Sequence, residues 1–200
     1  MAAHNSNRWR WIHAFGHRRR AACILKPPAM NPELPLRTAT EADLNEIVRL
    51  EHGLEAQRYV GQWSEARHRA TLTGGDARYL VVDDADGGLA AYAILRGLAE
   101  TGRAVELKRV VVGKTERGLG RRLLTELVRI AFEELHAHRL FLDVFDDNAR
   151  AQHLYTSLGF VLEGTMRHAA SRDGEWHDLR LMSMLESEYR ARQSQSATGA

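Results

Sequence analysis

The residues best suited to chemistry cluster in two short runs. The first is Gly113-Lys114-Thr115-Glu116-Arg117-Gly118-Leu119-Gly120, which follows the β-branched run ending at Val112 and leads into an amphipathic helix. A strand, a glycine turn and a helix N-terminus together form an anion site, because the first helical N–H groups lack intrahelical partners and the helix dipole favours negative charge there. Gly118 and Gly120 carry no Cβ to keep a phosphate off the backbone, and Arg117, Arg121 and Arg122 add positive charge. No Gly-Lys-Ser/Thr follows, so the loop is not a Walker loop, and Leu123 stands where a dinucleotide fingerprint needs its third glycine. A tight turn with two packing glycines is the plain alternative.

The second run is Asn148-Ala149-Arg150-Ala151-Gln152-His153-Leu154-Tyr155-Thr156-Ser157-Leu158-Gly159-Phe160. By itself it reads as a short helix, capped by Asn148, carrying Tyr155 on its packed face and stopped by Gly159.

The elements that must hold these runs are legible in outline. Leu34–Arg37 reads as a first strand, and Thr40-Glu41-Ala42-Asp43 as a capping box before a helix whose stripe runs Leu44, Ile47, Val48, Leu50, Leu54. A second helix is expected at about 64–72, strands at 78–82, 89–95 and 105–112, and a long helix at about 118–136. A strand at 140–145, a helix at about 148–158 and strands at 160–167 and 176–185 complete the order. Asp84–Gly88 and Arg172–Glu175 are turn sequences. The fold expected is α/β with a mixed sheet, in which the strand at 105–112, the next helix and the strand at 140–145 form a parallel, right-handed crossover.

The chain has 200 residues, 44% of them hydrophobic and 27% charged. That is the balance of one soluble globular domain and excludes collagen-like and wholly disordered chains. No apolar run approaches membrane-spanning length, so no membrane insertion is expected. Cys23, the only cysteine, excludes an intrachain disulfide and a cysteine zinc site. Nothing demands an oxidising compartment, and a cytoplasmic location is expected. The net charge of +2 is uneven: Arg8, Arg10, Arg18, Arg19, Arg20 and Lys26 crowd into residues 1–29, which hold no acid. Residues 1–33 are expected to be a basic disordered leader, 34–190 the folded domain and 191–200 a disordered tail. Nucleic acid is not expected as a partner of the domain, because the excess positive charge belongs to the leader, through which alone such binding would run.

Taken together, the two runs resemble the GNAT superfamily of N-acetyltransferases. The family's acyl-CoA loop has the form Q/R-x-x-G-x-G/A, and its following helix often reads N-x-x-A-x-x-L-Y-x-x-x-G-F. Asn148, Ala151, Leu154, Tyr155, Gly159 and Phe160 match at every fixed position. Thr115 departs from the first motif, where a long polar side chain is usual. The element order fits from about Leu34 to Leu185.

The resemblance implies a mostly antiparallel mixed sheet with a central splayed parallel pair and helices on both faces. It implies acetyl-CoA as co-substrate, with no metal, lying against the backbone of Val110, Val111 and Val112. Arg117, Gly118, Leu119, Gly120 and Arg121 would hold the pyrophosphate, and Asn148 would be a further cofactor contact. A primary amine would attack the thioester directly. Tyr155 would protonate the departing thiolate, since a phenol keeps its proton at neutral pH. Backbone N–H near Val110 would polarise the carbonyl. Glu106 is the candidate base, placed by period-two alternation on one face with Lys108, Val110 and Val112; its alternative is a plain surface ion pair. His168 and His177 are weaker candidates. Asp143, Asp146 and Asp147 read as acids favoured at a strand end before a helix. The acceptor is open, small molecule or protein N-terminus. The last strands look loosely like the ribosomal-protein N-terminal branch, and a homodimer is possible. An acyl-CoA-binding or sensing module is the rival.

Overall fold

The computed structural model describes residues 34–113 and 118–198. The leader 1–33 and Arg117 lie outside the described residues.

Among the described residues, seven strands form one sheet in the order β1-β2-β3-β4-β5-β7-β6. They are β1 (Leu36–Thr38), β2 (Ala77–Asp83), β3 (Leu89–Arg96), β4 (Ala104–Val112), β5 (Arg139–Phe145), β6 (Val161–Arg172) and β7 (Glu175–Leu185). All neighbours are antiparallel except β4 and β5, the crossover pair. The helices are α1 (Leu44–Glu51), α2 (Leu54–Tyr59), α3 (Glu65–Thr73), α4 (Leu119–Arg129), α5 (Ala149–Leu158) and α6 (Glu186–Thr198).

Helices cover both faces because both faces are apolar. Leu119, Leu123, Leu124 and Leu127 of α4 bury against Val105, Leu107, Leu140, Leu142 and Val144, with Ala151, Leu154, Tyr155 and Leu158 of α5 packed alongside. On the other face Leu44, Ile47 and Leu50 of α1, with Trp63, cover Tyr79, Val81, Tyr92, Ile94 and Val111. Strand β3 is buried along nearly its whole length, as a central strand between two helical layers must be.

Local signals acted largely as expected. The Thr40–Asp43 capping box is present and leads through a short 3₁₀ turn into α1. The turn after Arg172 has Asp173 at φ 53 and Gly174 at φ 81, the two positive values that close a tight hairpin matched to strand twist.

Three elements differ. The first helix ends at Glu51, and Gly53 caps a separate α2, so the stretch read as one helix is two. The long helix turns into a π-type turn at Ile130–Glu134, where Leu135 N–H donates to Ile130 O at 2.9 Å. The chain beyond 190, expected as a tail, is helical to Thr198; Tyr189 anchors α6 by stacking on Phe132 at 4.8 Å.

An acid-labile clamp ties β1 to the turn before α1. Arg37 donates to both Asp43 oxygens, at 2.9 and 2.8 Å, and also pairs with Asp83. Arg37, with help from Thr40, holds the Asp43 carboxyl down to about 2, below its ordinary 3.8. A depressed carboxyl contributes its full stabilisation above its unfolded pKa and loses it as pH falls through its folded value. The melting temperature should therefore fall between about pH 4 and pH 2 by more in the wild type than in Asp43→Asn. Equal acid sensitivity of the two proteins overturns this assignment.

Candidate active site

The parallel pair is joined only at its start. Register partners are Ala104↔Arg139, Val105↔Leu140 and Glu106↔Phe141, and beyond them the strands part. β5 stays fully paired to β7 through Phe145, and β4 stays paired to β3 through Val112. The gap therefore opens between Leu107–Val112 and Leu142–Phe145.

A bulge in β4 sets what faces the gap. Ile94 pairs with Arg109 but Leu95 with Leu107, so Lys108 is the extra residue. The bulge reverses side-chain facing. Val105 and Leu107 bury with α4, whereas Arg109 turns to Glu51 and Trp63 and Val111 buries with α1. Val110 and Val112 then pack on the α4 side. The alternation expected from sequence fails here: Glu106 lies on the face opposite Val110 and Val112, because one inserted residue changes the phase of every later side chain.

Glu106 therefore belongs to the α1–α3 side. Lys108 Nζ donates to its Oε1 at 3.0 Å, and Arg96 Nε stands 4.0 Å from its Oε2. The surface ion pair weighed as the plain alternative is present, but it sits at the gap. Asp143 joins it there. Leu140, Leu142 and Val144 bury with α4, so Phe141, Asp143 and Phe145 point to the other face. Lys108 Nζ is 3.8 Å from Asp143 Oδ2. Burial raises the Asp143 carboxyl; Lys108 opposes this and Glu106 adds to it. Reading Asp143 as an ordinary strand-end acid missed this placement.

Tyr155 comes from the opposite side. It is half-buried against the α4 core and meets Phe160 edge-on at 5.7 Å. Burial, and then the Asp143 carboxylate, push its phenol up to about 12. The hydroxyl is thus a proton donor at neutral pH. His168 is exposed on β6, its backbone N–H donating to Asp178. His177 lies 5.8 Å from the Phe145 ring, which it meets edge-on.

The N-terminus of α4 has the shape to take an anion. Gly118 caps α4 at φ 88, a left-handed conformation that favours glycine. Arg122 N–H already pairs with Gly118 O at 3.0 Å, leaving the N–H groups of Leu119, Gly120 and Arg121 without intrahelical partners. A Cβ on Gly120 would meet only Val112 Cγ2, at 3.8 Å. Arg121 donates to Ser157 Oγ at 2.8 Å, tying α4 to α5. Asn148 Oδ1 accepts from Ala151 N–H at 3.1 Å, so its capping role is realised.

Behind the bulge lies a charged cluster that the motifs did not disclose. Glu51 is fully buried, and its Oε1 accepts from the Tyr92 hydroxyl. Trp63 N–H donates to Oε2 at 2.9 Å, Arg109 stands 3.0 Å away and His68 Nε2 3.2 Å. His68 Nδ1 also meets the Tyr79 hydroxyl at 3.1 Å. Burial alone would raise the Glu51 carboxyl, but His68, Trp63, Tyr92 and Arg109 together hold it low. The Arg109 guanidinium also stacks 4.2 Å from the Trp63 ring centre. A signal existed in the sequence: Glu51 is four residues after Ile47, on the apolar stripe of α1.

Comparison with known proteins agrees with this geometry. Residues 44–160 match the acetyltransferase (GNAT) family. A spermidine N(1)-acetyltransferase of Vibrio cholerae is 26% identical over 171 residues, spanning 80% of this chain and 97% of that protein. The L-amino acid N-acetyltransferase AaaT of Escherichia coli is 36% identical over 70 residues, 35% of this chain and 43% of that protein. The crystal structure of the Vibrio cholerae spermidine N-acetyltransferase in complex with CoA and spermine superposes with a TM-score of 0.70 at 26% identity, covering 80% of this chain and 99% of that one. With the fold, the parted strand pair and a match over more than half its length, the chain belongs to the acetyltransferase (GNAT) family and is an N-acetyltransferase using acetyl-CoA.

Proposed function

We propose that the protein transfers an acetyl group from acetyl-CoA to a primary amine, a small molecule or a protein N-terminus, by direct attack, with its own side chains handling only protons. The observation that carries the reading is the division of labour across the gap. Carboxylates Glu106 and Asp143 stand on the α1–α3 side, and the Tyr155 phenol comes from the α5 side. An amine entering past the carboxylates loses its proton to Glu106, the candidate base. Backbone N–H near Val110, on the stretch of β4 that has parted from β5, polarises the thioester carbonyl. Tyr155 donates a proton on the far side, where the sulfur leaves. Val110–Val112 line the pantetheine arm, Gly118, Leu119, Gly120 and Arg121 form the pyrophosphate seat, and Asn148, at the opposite end of α5 from the Arg121–Ser157 contact, is a separate cofactor contact. Arg117 completes that seat in sequence. The reading assigns the enzyme to the cytoplasm, since its single cysteine needs no oxidising compartment. A homodimer belongs to the same reading as a testable assembly.

The test is thioester cleavage by the full chain across a panel of amines, read beside acetyl-CoA affinity. Turnover with at least one primary amine is expected. Tight CoA binding without cleavage for any amine would favour the acyl-CoA-sensing alternative. Gly120→Glu serves as the site control. A Cβ at this position makes only an ordinary contact with Val112, and the carboxylate beyond it places an anion where the phosphates should lie, so affinity should fall by about 10-fold or more. Unchanged affinity in a folded variant removes the seat from α4.

A further inference from the structure

On the acceptor-side face one residue pair along β5 from Asp143, about 7 Å at strand spacing, lies Phe145. Its ring is 6.1 Å from Tyr59 of α2, and Asp147 follows two residues on. Two aromatic faces and a carboxylate make a seat for an organic cation. In this protein that seat is filled from within. Arg172, at the tip of β6, places its guanidinium carbon 4.9 Å from the Phe145 ring centre and 5.8 Å from that of Tyr59. It pairs with Asp147 at 2.8 Å and donates to Arg58 O at 3.0 Å. His177 Nδ1 stands 3.4 Å away, and Arg58 reaches Asp147 at 3.7 Å.

We propose that Arg172 is a built-in cation occupying the place that a second positive charge of the acceptor would take, and that it sets a preference for acceptors with a single charge. The inference rests on the amine-acceptor reading above and deepens it. An acceptor with two ammonium groups joined by a short alkyl chain, its first at Glu106 and Asp143, would bring its second to the Phe145–Tyr59–Asp147 seat. It could enter only by displacing a guanidinium that already has an ion pair, a carbonyl and two ring faces. The exchange yields little, so the second charge adds nothing to binding. A monoamine of the same length needs no such exchange.

The probes are 1,4-diaminobutane and 1-aminobutane, which differ only in that charge. The full chain, saturated with CoA, is titrated with each by calorimetry, as wild type and as Arg172→Gln, Arg172→Lys and Arg172→Gln/Asp147→Asn. In Arg172→Gln the diamine dissociation constant should fall by about 10-fold while that of the monoamine stays put. Arg172→Lys keeps the charge and should behave as wild type, and Asp147→Asn should cancel the gain. The ratio of kcat/KM for the two amines should move in step. Equal tightening of both amines, or an unchanged diamine constant in folded Arg172→Gln, overturns the proposal. Absence of turnover with every amine would instead sink the acetyl-transfer reading, and the diamine titration would still decide this one.

Discussion

Tyr155→Phe should lower kcat by about 10²–10⁴-fold while leaving acetyl-CoA affinity nearly unchanged. The substitution keeps the ring, its edge contact with Phe160 and its packing on the α4 core, and removes only the hydroxyl. Stability should therefore shift by no more than about 0.5–1.5 kcal/mol, the net worth of one hydrogen bond. The phenol, pushed up to about 12, holds its proton throughout the neutral range, so the wild-type rate should show no limb from this group near pH 7. Steady-state kcat beside a CoA titration decides the matter. A near-normal kcat makes Tyr155 a packing residue, with water supplying the proton. Weakened CoA binding at normal kcat makes it a cofactor contact.

Glu51→Gln should destabilise the fold by about 3–5 kcal/mol, the usual cost of leaving a buried charge without its partner. Arg109, with a side chain 5% exposed, has Glu51 as its counter-ion and would stay buried and cationic. Trp63 N–H would face an amide that accepts at only one end. A loss of that size lowers the melting temperature by about 6–20 °C in a domain of this length. Replacing both partners together, Glu51→Leu with Arg109→Met, should recover much of the loss, because removing a buried pair whole is far less costly than halving it. Urea or thermal unfolding of the singles Glu51→Leu and Arg109→Met and of the double forms a cycle. Additive losses would show that Glu51 and Arg109 stabilise the protein independently. Arg109 also adjoins the bulge at Lys108, so both single variants should lower kcat in the fraction that remains folded.

Element type and order were legible because they rest on local chemistry. Ser64 caps α3 by accepting from Arg67 N–H, Gly118 and Gly159 supply the left-handed turns at the start of α4 and the end of α5, and Asp173-Gly174 closes the last hairpin. The two motifs carried the family, the cofactor and the candidate acid, since a phosphate turn needs particular residues at particular spacing. The resemblance of the last strands to the ribosomal-protein branch was only loose, and the relatives carry the names of spermidine and amino-acid acetyltransferases. Helix ends were harder to place. The break at Gly53, the π turn after Arg129 and the helix past residue 190 all depend on what packs beneath them.

The sequence by itself determined which residues could cradle a phosphate, donate a proton and end a helix, because each of those tasks depends on a residue and its near neighbours. Only the tertiary structure decided which side of the gap each group serves. A bulge is a mismatch in length between two paired strands, and a single strand's pattern does not contain it: β4 alternates evenly in sequence, yet its pairing with β3 leaves Lys108 over and turns Arg109 and Val111 to the α1 side, opposite Val105 and Leu107. The same holds for Glu51 with Arg109, 58 residues apart, and for Arg172 with Asp147 and Tyr59. These pairs meet because sheet register brings distant residues together, and burial then makes their charges matter.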